Sequence, residues 1–413
     1  MVKGTLAIAL SLTLALTACN MSSVFNFGTA EGPLPAGEDV IAPIENDALE
    51  TQVVEAYAPS IKFTNYLAPP LSEFKRDVPT VMGVYITSVH AGIDRYFEDH
   101  LAFAKAAGVN AMVIDVRGDD GKITFHGMEF ADEMGLSVNN IPDIYKLMER
   151  LKAEGIYPIA RIVAFKDSAA RESMPELYIK NTNGDIWKDG SGESWLNPFN
   201  PEACQYVLNY AMEAAYFGFE EIQFDYVRFA TSSLKDADLS DTGGKTKVDA
   251  ITSFLQQAID VLRPLGVTVS ADVYGTIIGS ELDAGIVGQD YVKIASIVDV
   301  ICPMVYPSHY ANGSMGIDIP DFAPYDTIHK AMQLSNEKLS AIPEADRAIV
   351  RPWLQDFTAS YLGKYMNYGA DERYAQIKAT YDAGLSEWLL WDASNKYDAG
   401  GVVSKIMYAS QGK

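Results

Sequence analysis

Residues 220–230 read EEIQFDYVRFA. Ile222, Phe224 and Tyr226 alternate with Gln223 and Asp225, and alternation of this kind places successive side chains on opposite faces of a β-strand. One face is apolar and fits a helix layer. The other carries an amide and a carboxylate, and Arg228 follows just beyond. A buried ion costs several kcal/mol unless it is paired or used. Asp225 therefore needs either a counter-ion, with Arg161 and Arg228 as candidates, or a solvated mouth.

Working outward, apolar runs followed by amphipathic stretches recur along the chain. Strands are expected at Val81–Thr87, Ala111–Arg117, Tyr157–Phe165, Glu221–Val227, Val267–Tyr274, Val298–Tyr306, Ile349–Gln355 and Glu387–Trp391. Helices are expected at Arg95–Ala107, Ile141–Ala153, Pro201–Phe217, Lys247–Leu262, Tyr325–Leu339 and Glu372–Ala383. Several of these end near a glycine, as at Gly108, Gly218 and Gly384. Eight strands alternating with helices are what a (β/α)8 TIM barrel requires. The rival is an open doubly wound sheet, which is disfavoured because no glycine-rich phosphate loop follows the first strand.

Strand parity separates wall from lumen. Val269, Ala271 and Val273 oppose Thr268, Ser270 and Asp272, while Val350 and Leu354 oppose Arg351, Trp353 and Gln355. Tyr85, Asp115, Arg117 and Arg161 fall on the lumen parity of their strands. After the third strand, residues 167–198 are too long for a plain loop. They contain NTNGDIW (181–187), where Asn183-Gly184 is a hairpin signal, and GSGESWLNP (190–198). A small β-excursion is expected here, with Trp187 and Trp195 either turned towards the site or packing the excursion itself.

The chain begins MVKGTLAIALSLTLALTACN. A positive start, an apolar run too short to span a bilayer and a small-residue cleavage site describe an export signal over residues 1–18. Leu16-Thr17-Ala18-Cys19 resembles the bacterial lipobox, which makes Cys19 a lipidation site anchoring the chain to a membrane. Asn20 is not the aspartate of an inner-membrane retention signal, so the outer membrane is expected where the cell has one. Residues 19–77, with stretches such as EGPLPAGEDVIAPIENDALE, have the composition of a tether. Residues 78–413 form the globular domain.

The net charge of −23 argues against nucleic acid and acidic polymers, and a neutral substrate fits better. Of three cysteines, Cys204 and Cys302 remain once Cys19 is lipidated, and two separate buried thiols are expected. Five histidines lack ligand spacing, and no G-x-S-x-G elbow occurs. Neither a metal nor another cofactor is expected, and the barrel is read as a monomer.

Four motifs in order are WLNPFNPEACQYVLNYAMEAAYFGFEEIQFDYVRFA (195–230), DVICPMVYPSHY (299–310), VRPWLQDFT (350–358) and EWLLWDASNKY (387–397). Together they resemble a bacterial family of glycoside-hydrolase-like (β/α)8 domains long labelled as of unknown function, distantly similar to alpha-amylase-type barrels. The resemblance runs from about Gly83 to about Tyr397. It departs from the family pattern at IDVRGDDGKITF (114–125), where Arg117 stands near the family's usual lysine and Gly118 is inserted or substituted.

The resemblance implies glycoside hydrolysis, which needs two carboxyl groups flanking the scissile bond. In the amylase-type barrels the fourth-strand aspartate is the nucleophile and a fifth-strand acid protonates the leaving group. By motif the first is Asp225; by position the second is Asp272, where the family's relatives commonly carry glutamate. The candidate substrate-binding set is Asp115, Arg161, Trp195, Gln223, Arg228, Tyr274, Tyr306, His309, Trp353, Gln355, Trp391 and Asp392. Asp392 could orient a sugar hydroxyl or cap the following turn, and His309 could stabilise a developing charge. Asp119 and Asp120 read as solvated turn residues, and Asp115 as a salt-bridge partner of Arg117 or Arg161. The functional expectation is a lipid-anchored glycosidase or transglycosidase that acts on a polysaccharide or oligosaccharide outside the cytoplasm through an Asp/Asp pair with retention. The alternative is a surface lipoprotein that binds a glycan without cleaving it.

Overall fold

A computed structural model describes residues 78–410. The expected signal peptide, Cys19 and the tether lie outside the described residues. The barrel strands are β1 (Met82–Ile86), β2 (Ala111–Arg117), β3 (Tyr157–Val163), β4 (Glu221–Asp225), β5 (Thr268–Tyr274), β6 (Val300–Val305), β7 (Trp353–Gln355) and β8 (Trp388–Trp391). Each pairs in parallel with its neighbours, and β1–β8 and β6–β7 pairings close the ring. This is a (β/α)8 barrel, as expected. The seventh position is broken: Ile349–Val350 pairs with the start of β6, and Pro352 interrupts before β7 begins. Proline has no N–H for a ladder, so the break falls where a strand can spare that bond.

The helices follow the sequence closely. Asn200 caps the helix Pro201–Tyr216 by accepting from the Glu202 amide, and proline fits the first helical position. Thr246 and Asp249 form a reciprocal capping box at the start of Lys247–Leu262. Two short helices, Glu281–Val287 and Tyr291–Ala295, fill the β5–β6 connection. No amphipathic pattern announces them, because each is too short to express one.

Parity assigns the two sides of the wall correctly for β4 and β5. Ile222, Phe224, Val269, Ala271 and Val273 join the layer between strands and helices. Inside the barrel a separate apolar cluster forms from Val81, Ala111, Val113, Ile159, Val300, Cys302, Trp353 and Leu389. Beneath it, Arg351 is fully buried between Glu221 and Glu387, each at 2.7 Å. The lumen is thus a packed plug with an ion triad at the bottom and polar residues at the top. Cys204 and Cys302 are separate buried thiols.

Arg117 corrects the parity reading. The β2–β3 register slips between Asp115, opposite Arg161, and Arg117, opposite Ile162. One extra residue at a bulge sends the following side chain to the other face. Arg117 therefore faces the helices, where it pairs with buried Asp167 and lies over Tyr206 and Tyr210.

The excursion after β3 is present. Lys180–Asn181 pairs antiparallel with Ala237–Asp238 from the loop after β4. The hairpin at Asn183-Gly184 has Gly184 at φ +88°, a left-handed conformation that glycine adopts without strain. Trp187 is 5% exposed and packs the excursion. Asp167 fixes its base by accepting from the Tyr178 hydroxyl and the Ala169 and Ala170 amides.

At the mouth, Gly275 follows β5. A Cβ there would stand 2.6 Å from the Met304 carbonyl oxygen, a contact that requires the backbone to move. Gly275→Ala is expected to lower unfolding free energy by about 1–3 kcal/mol, as overpacking does. A denaturant melt checks this, and an unchanged midpoint would contradict it.

Candidate active site

The C-terminal ends of the strands bring the charged residues together. Arg161, on β3, is the hub. Its Nη1 donates to Asp115 Oδ1 at 2.7 Å, and its Nη2 donates to Asp119 Oδ1 at 2.8 Å. Nε and Nη2 also donate to Asp225 Oδ2 at 3.0 and 2.7 Å. The second oxygen of Asp115 accepts from the Tyr85 hydroxyl at 2.6 Å. Arg161, not Arg117, is therefore the partner of Asp115. Burial pushes the Asp115 carboxyl up, while Arg161 pulls it back.

Asp225 is 7% exposed at the end of β4. Its Oδ1 accepts from the Tyr226 amide at 2.6 Å. Tyr226 has φ +49°, an unusual value for a residue with a bulky side chain. Strain of this kind persists where the surroundings over-determine it. The turn also departs from the parity reading of Tyr226: its ring still packs against the main core, but its hydroxyl donates to Asp119 Oδ2 at 3.1 Å. Lys166 Nζ lies 3.6 Å from the same oxygen. Burial tends to raise the Asp119 carboxyl, but Arg161 and Lys166 outweigh it and hold it below the usual carboxylate range. The Asp119 side chain is 39% exposed, against 10% for Asp225. Asp119 lies in the turn after β2, as expected, but its carboxylate joins this cluster. Asp120 does stay in the turn, accepting from the Lys122 amide.

The β4–β5 register pairs Gln223 with Ser270 and Phe224 with Ala271, which sets Asp225 beside Asp272 at the strand ends. Adjacent strands lie about 4.8 Å apart. Asp272 is 2% exposed, and Trp353 Nε1 donates to its Oδ1 at 2.7 Å. Burial, reinforced by the charge of Asp225, pushes the Asp272 carboxyl well above its ordinary range. Asp225 sits on the Arg161 guanidinium, while burial favours the protonated form of Asp272. Environments that drive two carboxyls apart in this way are the pattern of an acid and its charged partner.

Aromatic residues flank the cluster. Trp391 stacks on Tyr85 with centroids 4.0 Å apart and meets Trp353 edge-on at 5.5 Å. Tyr306, His309 and Phe357 form a second group with centroids 5.2–6.0 Å apart. Burial pushes His309 down to about 4, so its ring is neutral near pH 7. It can donate or accept a hydrogen bond there but brings no charge. On the far side, Trp195 donates from Nε1 to Asp189 Oδ2 at 3.0 Å and lies beside Tyr226. Arg228 does not pair with Asp225. Its guanidinium lies over Trp195, Tyr226 and Tyr274, and Nη1 donates to the Phe229 carbonyl at 3.0 Å.

Other expected binders are committed elsewhere. Asp392 caps its turn, accepting from the Ser394 and Lys396 amides. Gln355 is buried; its Oε1 accepts from the Ser308 amide and its Nε2 donates to the Phe357 carbonyl. Gln223 lies deeper, with Nε2 donating to Cys302 Sγ at 3.3 Å. Lys166, Tyr226 and Phe357 belong to the mouth and were not singled out by sequence. The doubled aspartate after β2 was the available signal for Asp119, and nothing in the alternation marked Tyr226.

Residues 83–397 match the model of a family described as "Putative glycosyl hydrolase domain". No curated protein matches the chain. Among solved structures, a hypothetical protein from Ruminiclostridium thermocellum is 33% identical over 46% of this chain and 97% of its own, with a TM-score of 0.42. The glycoside hydrolase domain of PgaB (BpsB) from Bordetella bronchiseptica is 14% identical, covering 79% of this chain and 99% of its own, with a TM-score of 0.59. That likeness speaks for the barrel fold alone. An alpha-amylase from Lactobacillus plantarum is 13% identical over 75% of this chain and 70% of its own, with a TM-score of 0.48.

Proposed function

The chain belongs to this family of glycosyl hydrolase domains, and from that premise we propose that it cleaves a polysaccharide or oligosaccharide outside the cytoplasm, with Asp225 and Asp272 as the carboxyl pair. The observation that carries the assignment is their placement on neighbouring strand ends, with Asp272 buried beside Asp225 and its carboxyl raised by that burial. Asp272 gives its proton to the glycosidic oxygen as the C1–O bond breaks. Asp225 attacks C1 and forms a glycosyl ester. Water then cleaves that ester, returning its proton to Asp272, so the anomeric configuration is retained. Arg161 orients Asp225 through two N–H donors, and the Tyr85–Trp391 stack offers a flat face to a sugar ring.

Lipidation of Cys19 would tether the enzyme to the envelope, on the outer membrane where the cell has one. Radiolabelled fatty acid incorporation into wild type and Cys19→Ala tests that part. A glycan-binding lipoprotein is the second reading, and the 2% exposure of Asp272 favours it. Reducing-end release separates the two.

The pH dependence has a definite sign. Asp225 must be ionised and Asp272 protonated, so kcat/KM is expected to be bell-shaped. The alkaline limb belongs to Asp272 and lies above the ordinary carboxylate range, because burial raises that group. The Trp353 hydrogen bond acts in the opposite direction and lowers it. Trp353→Phe should therefore move the alkaline limb to higher pH. A pH–rate profile in which the limb stays put or falls would remove Asp272 from the role of acid.

A further inference from the structure

Resting on the hydrolase reading, we propose that the glycan carries an isolated anionic substituent, a sugar carboxylate, bound by Arg228. The described residues include the buried arginines Arg117, Arg161, Arg228, Arg263, Arg351 and Arg373. Five of them hold carboxylates. Arg228 is the exception: among the described residues no carboxylate pairs with it, although it is 7% exposed. A charge removed from water without a counter-ion is costly. Its guanidinium lies 5.0 Å from the Trp195 ring centroid, 4.8 Å from Tyr226 and 4.7 Å from Tyr274. Cation–π attraction offsets part of the cost of desolvation. Nη1 is engaged by the Phe229 carbonyl, and the remaining N–H groups suit a carboxylate.

The location ties the charge to substrate. Arg228 follows Asp225 by three residues, and Tyr274 follows Asp272 by two. The guanidinium lies over the rings of Tyr226, next in sequence to Asp225, and Tyr274, the last residue of the strand that carries Asp272. That sets it on the side of the mouth where a sugar flanking the scissile bond would lie. Arg161 and Lys166 are already committed to aspartates and cannot serve the same purpose. The net charge of −23 repels a dense polyanion at low salt. A mostly neutral glycan with occasional acidic sugars meets both conditions. The whole-chain charge therefore excludes the polyanion, while the local geometry asks for one anion.

The test uses the full chain and a bacterial exopolysaccharide with a single uronic acid per repeat. The comparison polymer is the same material after carbodiimide activation and borohydride reduction, which turns each carboxylate into a neutral alcohol. Binding is measured with Asp225→Asn protein and reducing-end release with wild type. The acidic form should bind about tenfold tighter or better, the span of one charge-assisted hydrogen bond. Arg228→Met should erase most of that margin, and Arg228→Lys should keep part of it. Equal binding of both forms, or binding of neither, overturns the proposal. Release without charge preference leaves the hydrolase reading standing and this inference fallen. Acid-selective binding without release does the reverse. Should Arg228→Met fail to fold, the native-against-reduced comparison on unaltered Arg228 decides alone.

Discussion

Asp225→Asn is expected to lower turnover by about 10³-fold or more while leaving the fold intact, as removal of a nucleophile does. Asparagine keeps the size of the side chain and one oxygen, so Arg161 retains an acceptor and the Tyr226 amide retains a neighbour. What is lost is the negative charge that must form the ester. The effect should fall on kcat more than on KM, since Asp225 is engaged by Arg161 before substrate arrives. Circular dichroism and a denaturant midpoint near that of wild type establish that the loss is chemical. A variant with substantially preserved kcat would show that Asp225 is a structural ion pair.

Arg161→Met should give the largest loss of stability. It strips Asp115, Asp119 and Asp225 of their shared counter-ion at once. Deleting one partner of a buried ion pair typically costs about 3–5 kcal/mol, because the remaining charge is left uncompensated. Lys166 partly screens Asp119 alone. The pH dependence follows from the sign of each shift. In wild type, Asp119 sits below its unfolded value, so its contribution is present above the unfolded pKa and is lost as pH falls through the folded one. Without Arg161, Asp115 and Asp119 lose the charge that lowers them, so the deficit is largest near neutral pH and shrinks as acid protonates the uncompensated carboxyls. Urea unfolding at pH 7 and pH 4.5 measures both. A deficit under about 1 kcal/mol, the scale of an exposed pair, would mean that solvent screens the hub.

Much of the barrel was legible because its code is periodic. The eight strand runs follow from apolar stretches recurring between amphipathic ones, and the apolar faces of β4 and β5 follow from alternation, since each wall residue must meet helices on one side. The departures are places where periodicity breaks without leaving a trace in composition. A one-residue slip after Asp115 sends Arg117 outward to Asp167. A left-handed Tyr226 carries its hydroxyl to Asp119 although no glycine marks the turn. The first turns a charge to the helix side and the second brings a hydroxyl to the mouth, where strain gathers in enzymes. The adjacency of Asp225 and Asp272 was readable from strand position. The hub was not: parity places Arg161 in the lumen but does not say that three aspartates converge on it.

The most direct measurement is release of new reducing ends by the full wild-type chain from a panel of bacterial and storage polysaccharides. The account predicts release from at least one polymer, abolished by Asp225→Asn and strongly reduced by Asp272→Asn. Retention of a polymer by all three proteins with no new reducing ends from any would contradict it and leave a glycan-binding barrel.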